Sequence, residues 1–199
     1  MGVPVTTVGI FVGGASRRMG GAPKGLLPLP GPAHETLVAR AVRVVREAGL
    51  RPVFIGHAPW LGDVAPDVPR WTDRHTGIGP MGGLATLLAQ SDGVYAIALA
   101  CDMPYVTAAM LARLASVETN AAIVAPRMTR GTGWEALCAR YHRDRVSSVI
   151  EALVASRRYA LQAAFDELPV EPLLLGDSEA AALRDWDAPS DVERGGDGS

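Results

Sequence analysis

The sequence predicts an α/β domain: a mostly parallel sheet covered by helices on both faces. Three observations lead there. Short, β-branched apolar runs alternate along the chain with amphipathic stretches of helical period. The clearest run, VYAIALA at 94–100, is apolar throughout, as a strand buried on both faces must be. Glycines, prolines and charged residues collect directly after these runs, at the carboxyl ends of the strands, where open α/β sheets bind ligands.

The elements follow in order. Val5 to Val12 reads as a buried first strand. Glu35 to Ala48 is amphipathic, with Leu37, Ala41, Val45 and Ala48 on one face and Gly49 placed to end the helix. PVFIG at 52–56 is a second strand, followed by a proline-rich loop at 58–69. RWTD at 70–73 closes a short third strand, and Met81 to Gln90 reads as a helix. The central strand at 94–100 follows, then a helix capped by Thr107 and running to about Ala115. NAAIVAP at 120–126 and WEALCARY at 134–141 are further strands, the latter read from its alternation. Arg143 to Ser156 is helical, EPLLLG at 171–176 is a late strand, and APSDVE at 188–193 starts a short last helix. No internal repeat or long linker divides the chain, so residues 1–194 form one domain and 195–199 a disordered tail.

Composition limits the function classes. The chain has 199 residues, 48% hydrophobic and 20% charged, which suits a globular domain with a substantial core. A net charge of −2 gives no global attraction to nucleic acid or to a membrane surface, so any polyanion must meet a local cluster of cations. No apolar run reaches the ~18 residues of a membrane span. MGVPVTTVGIFVGG has no basic region before its apolar core and reads as a strand, not a secretory signal; a cytoplasmic protein is expected. Cys101 and Cys138 stand in separate apolar contexts without a CxxC, as buried thiols in a reducing compartment would. His34, His57, His75 and His142 have no zinc-ligand spacing.

Four clusters carry chemistry. GGASRRMGGAPKGLL, Gly13 to Leu27, follows the first strand. Bare glycine backbone can bring N–H groups onto phosphate oxygens, and Arg17, Arg18 and Lys24 supply the charge that a triphosphate needs. The alternative is a turn with solvated basic residues. Lys24 lies between Pro23 and Gly25, so this is not a P-loop, and the dinucleotide G-x-G-x-x-G spacing is absent. In CDMP, Asp102 ends an apolar strand, where a carboxylate needs a partner or a metal; it suits Mg²⁺, or the cap of the next helix, although Thr107 is better placed to cap. TDRHTGIGPMGGL sets Asp73 before four glycines around Pro80, as a ligand loop or simply a flexible one. DWDAPSD, Asp185 to Asp191, either opens the last helix or completes a metal site through Asp187 or Asp185.

Together these motifs resemble the molybdopterin nucleotidyltransferases, and within them most closely the molybdenum cofactor guanylyltransferases. That family has a strand ending G-G-x-x-x-R-M-G-x-x-K, a later acid with a glycine-rich GP(L/M)xG loop, a CDxP turn, an E-P-L-x-x-x-Y segment and a closing N-x-N-T-P or D-x-D-T-P stretch. The likeness runs in order from about Ile10 to Asp191. It implies a single Rossmann-like three-layer domain of the nucleotidyltransferase fold. It also implies an enzyme that transfers GMP from GTP to the terminal phosphate of molybdopterin, with Mg²⁺ as cofactor and docking to molybdenum-insertion proteins. Phe11, Val12, Gly13 and Gly14 would then pass the nucleotide by backbone, Lys24 would hold the triphosphate with Arg17 or Arg18, and Asp102 would hold the metal, joined by Asp187. Asp73, His57 and Gly82 would lie against nucleotide, His57 standing where the family has asparagine. Pro23 and Ala188 depart from the pattern. Asp185 and Asp187 look more like the cytidylyl branch, while Gly13–Gly14 and MGG..KGLL look guanylyl. The competing readings are a CTP-dependent molybdopterin transferase, a transferase for another small phosphorylated substrate, and a non-catalytic nucleotide-binding protein.

Overall fold

The computed structural model describes residues 5–13, 23–29, 34–62, 64–127, 133–176, 179, 180 and 183. Over these the chain runs β1 (Thr7–Phe11), α1 (Leu37–Glu47), β2 (Arg51–Ile55), β3 (Arg70–Trp71), α2 (Pro80–Gln90), β4 (Tyr95–Ala100) and α3 (Ala108–Ser116). It continues through β5 (Ile123–Ala125), β6 (Cys138–His142), α4 (Arg143–Ala155), α5 (Gln162–Glu167) and β7 (Val170–Pro172). The strands form one sheet in the order β3-β2-β1-β4-β6-β5-β7. All neighbours pair in parallel except β6, which runs antiparallel to both β4 and β5.

The period of two along each strand sorts side chains between two cores. Val8, Ile10, Phe54, Ile97, Leu99 and Val124 face α1 and α3, where they meet Val38, Val42, Met110 and Leu114. Phe11, Val53, Ile55, Ala96, Ala98 and Tyr141 face the other way, onto Leu84, Leu87, Ile150 and Phe165 of α2, α4 and α5. The α/β domain with a mostly parallel sheet between two helical layers is therefore present. Local chemistry places the helix starts. The Thr36 hydroxyl accepts from the Ala39 N–H at 3.3 Å, and the Thr107 hydroxyl from the Met110 N–H at 3.2 Å.

Some elements differ from the sequence expectation. WEALCARY becomes a strand only from Cys138, and residues 138–141 are all buried instead of alternating. The reason is position: β6 lies inside the sheet, with helices over both faces. The late strand lies at Val170–Pro172 and not over 171–176; it pairs with β5, and Leu173 then turns into the core while Leu174 is 83% exposed. α5 has only six residues, too few for its period to stand out in sequence. The expected last helix at 188–193 and tail at 195–199 lie outside the described residues.

Parallel register positions the site. Phe11 is level with Ile55 on one side and Ala100 on the other. The next residues, Val12–Gly13, Gly56–His57 and Cys101–Asp102, therefore leave the sheet side by side.

Candidate active site

The three strand ends come unusually close because of glycine. Gly56 has φ +102°, and a Cβ built on it would lie 3.1 Å from the Gly13 nitrogen and 3.2 Å from its Cα. Any side chain there would meet both the backbone strain and the neighbouring strand. Above this floor lies a cavity of about 480 Å³. It is lined from β1 by Phe11, Val12 and Gly13, from the β2 loop by Gly56, His57 and Trp60, and from the β4 end by Cys101 and Asp102. The loop after β3 adds Asp73, Gly77 and Gly79, and α2 adds Pro80 and Gly83.

Lys24 reaches this cavity from a single 3-10 turn, Lys24–Leu26, which Pro23 introduces in extended conformation. The turn is fixed beneath by Gly25, which is buried; a Cβ there would stand 2.4 Å from the Trp60 ring. The Lys24 Nζ donates to the Asp102 carboxylate at 3.1 Å, with both side chains about four-fifths buried. A cation from the first loop and an anion from the end of β4 thus meet across the mouth of the cavity.

Asp73 is different. Its Oδ1 is buried with no hydrogen-bond partner among the described residues, and burial raises its carboxyl above the usual carboxylate range. An acceptor held without a donor in a cavity is suited to a ligand that brings N–H or O–H groups. Cys101 lines the same cavity, but burial, with a smaller contribution from the Asp102 charge, pushes its thiol up to about 12. It stays protonated near neutral pH and is no nucleophile. Cys138 is wholly buried and likewise pushed up to about 12 by burial.

Phe11, Val12, Gly13, Lys24, His57, Asp73 and Asp102, all candidates from the sequence motifs, therefore line one cavity. Gly82 lies elsewhere: the space for its Cβ is filled by the His75 carbonyl oxygen, at 2.1 Å, and Gly83 lines the cavity instead. Gly14, Arg17, Arg18, Asp185 and Asp187 lie outside the described residues. Trp60, Gly56 and Gly83 were not singled out by sequence, although Gly56 carries the same signal as Gly13, a glycine directly after a buried strand.

Among the described residues no three of His, Cys, Asp or Glu gather to hold a metal. Asp102 alone at a cavity mouth nevertheless fits Mg²⁺, which commonly takes one or two carboxylates and completes its shell with water and substrate phosphates.

The model of the MobA-like NTP transferase domain matches residues 8–192. The chain belongs to this family. It is a nucleotidyltransferase. Among its relatives is a probable molybdenum cofactor guanylyltransferase of Opitutus terrae, 32% identical, with 93% of this chain and 92% of that protein aligned. A molybdenum cofactor biosynthesis bifunctional protein of Synechocystis is 30% identical over 66% of this chain, and the aligned part is 38% of that longer protein. The fold matches molybdopterin-guanine dinucleotide biosynthesis protein A from Archaeoglobus fulgidus with a TM-score of 0.75 at 20% identity, covering 96% of both chains. Among the described residues no helix of this MobA-like chain is long and apolar enough to cross a membrane.

Proposed function

We propose that this enzyme transfers GMP from GTP to the terminal phosphate of molybdopterin and releases pyrophosphate. The observation that carries the reading is the Lys24–Asp102 pair at the rim of a cavity floored by Gly13 and Gly56. A triphosphate needs a cation that follows charge onto the leaving pyrophosphate, and a seat for a divalent ion; the pair supplies both. Support for guanosine comes from the Opitutus terrae relative named a probable guanylyltransferase and from the unpaired Asp73 oxygen, which can accept from ribose or base donors.

In this reading an oxygen of the molybdopterin phosphate attacks the α-phosphorus of GTP, a P–O bond forms, and the bond to the β-phosphate breaks. The protein supplies no nucleophile. Gly13 offers a bare backbone against which the nucleotide can lie. Lys24 leaves the Asp102 carboxylate for the β- and γ-phosphates and stabilises the departing charge there. Asp102, freed, would hold Mg²⁺, which would supply Lewis-acid charge neutralisation at the phosphates. The same reading places the enzyme in the cytoplasm, with no nucleic-acid or membrane partner and with molybdenum-insertion proteins as docking partners.

The test is pyrophosphate release with molybdopterin and each triphosphate in turn. GTP is expected to support turnover and CTP to fail. Lys24→Ala is expected to lower turnover by roughly 10²-fold while the protein stays folded. Preference for CTP, in line with the acidic pair Asp185 and Asp187, would replace the guanylyl reading with the cytidylyl one. Wild-type turnover by Lys24→Ala would remove the lysine from the mechanism.

A further inference from the structure

Thr86 lies in the middle of α2, fully buried, yet it is not an ordinary helical threonine. Its hydroxyl donates to the Gly82 carbonyl at 2.9 Å, one turn back, as helical threonines often do. The same oxygen also accepts from the Arg74 N–H at 2.8 Å. Arg74 is not helical; it is the residue after Asp73, in the loop that follows β3. One buried hydroxyl therefore pins the first turn of α2 to the loop that presents the Asp73 carboxylate.

The loop also lies close against α2: the His75 carbonyl oxygen occupies the space left by the missing Cβ of Gly82. The His75 Nε2 lies 3.3 Å from the Glu151 carboxylate on α4, without a hydrogen bond. The Asp73 Oδ1, buried without a partner, lies 3.9 Å from the position of a Cβ on Gly56. The carboxylate is thus aimed along the floor of the cavity while its own backbone is anchored from behind.

We infer that Thr86 is a positioning residue for nucleoside recognition: by holding the Arg74 N–H it fixes where Asp73 meets the sugar or base of the nucleotide. The inference rests on the proposed nucleotide role of this cavity and deepens it. An acceptor must sit within a few tenths of an ångström of its donors to discriminate between ligands, and a loop followed by Gly77 and Gly79 does not hold such a position unaided. The triphosphate end of the ligand, at Lys24 and Asp102, is carried by other elements and does not depend on this lock.

The experiment compares wild type, Thr86→Val and Thr86→Ser by calorimetric titration with GTP, CTP and inorganic tripolyphosphate, each in the presence of Mg²⁺, alongside melting temperatures. Valine keeps the shape and removes the hydroxyl; serine keeps the hydroxyl and loses a buried methyl. Thr86→Val is expected to bind the preferred nucleotide about 10-fold more weakly, with tripolyphosphate unchanged. Thr86→Ser is expected to bind nucleotide like wild type despite a lower melting temperature. In an Asp73→Ala background Thr86→Val should add no further loss. Unchanged nucleotide affinity in Thr86→Val overturns the inference. So does an equal loss for tripolyphosphate, or losses in both variants that simply follow melting temperature. If wild type prefers CTP, the guanosine reading falls and Thr86 is judged on CTP; if it binds neither nucleotide, both fall together. Should Thr86→Val not fold, hydrogen exchange of the Arg74 amide in wild type decides: slow exchange, slower still with nucleotide, is expected, and exchange at open-loop rates overturns the inference.

Discussion

At the scale of single residues, the cavity holds groups kept in states that folding alone would not choose. Asp73 is the clearest. Its carboxyl is raised by burial, and one oxygen finds no donor. The folded protein therefore binds a proton at Asp73 more readily than the unfolded chain does. Between the unfolded and the folded pKa the native state carries more protons, so this residue's contribution to stability falls as pH rises through that window. Above the folded pKa it is a standing penalty. Asp73→Asn, which cannot ionise, is expected to melt higher than wild type at pH 7 and to lose that advantage as pH is lowered through the same window. It is also expected to bind nucleotide more weakly, because an amide offers a poorer acceptor. Melting curves at several pH values, with nucleotide titrations at pH 7, read both effects. A variant that melts lower at pH 7 and binds as tightly would show that Asp73 serves the fold and not the ligand. Cys101 makes the contrast: it lines the same cavity, but burial holds its thiol protonated, so it contributes shape and not chemistry.

At the scale of elements, α2 sets how near the cavity floor a ligand can come. A Cβ on Gly83 would stand 2.6 Å from the Phe11 ring and 2.9 Å from Ile55, so the helix rests directly on the ends of β1 and β2. Gly83→Ala must push Phe11 into the cavity or lift the helix, and is expected to destabilise by about 1–3 kcal/mol and to weaken nucleotide binding. Gly77, in the loop before the helix, has φ +79° and nothing among the described residues within 4 Å of a built Cβ. Gly77→Ala meets only backbone strain and is expected to destabilise by about 1 kcal/mol. Denaturant titrations separate the two; equal losses would mean that α2 is free to shift. These glycines also show what was legible in the sequence. Their clustering after β3 marks a loop that lines the cavity, but a glycine admitting a ring and a glycine admitting a carbonyl look alike in sequence, so the sequence points to Gly82 where Gly83 is the one that lines the cavity. The strands β1 and β4 were legible because burial on both faces leaves a continuous apolar run. The antiparallel course of β6 was not, since Cys138 to Tyr141 are buried whichever way the strand runs. Trp60 was hidden in a proline-rich loop, and its contact with Gly25 arises only when β2 and the Lys24 turn are brought together.

At the scale of the whole molecule, the cavity joins the ends of β1, β2 and β4 to the start of α2, so a ligand there would bear on several elements at once. Anything that binds the native state alone raises its stability, by about 2.7 kcal/mol at a hundred times Kd, or roughly 5–10 °C for a chain of this size. The Lys24–Asp102 pair predicts how nucleotide and metal share that gain. Mg²⁺ alone must displace an ammonium 3.1 Å from its carboxylate, so it should stabilise little. GTP alone brings several negative charges towards Asp102, and should also stabilise little. Together, the phosphates draw Lys24 away while the metal takes Asp102 and neutralises the repulsion, so the shift in melting temperature should exceed the sum of the separate shifts. Two variants give the argument opposite signs. Asp102→Asn removes the seat of the metal, and GTP should then stabilise equally with or without Mg²⁺. Lys24→Ala removes the competitor, and Mg²⁺ alone should stabilise this variant more than wild type, although the combined shift shrinks. Melting curves of the three proteins with Mg²⁺, GTP, both or neither measure every term. Additive shifts in wild type, or a Lys24→Ala protein no more responsive to Mg²⁺ alone, would mean that the ion pair is not what links the two ligands.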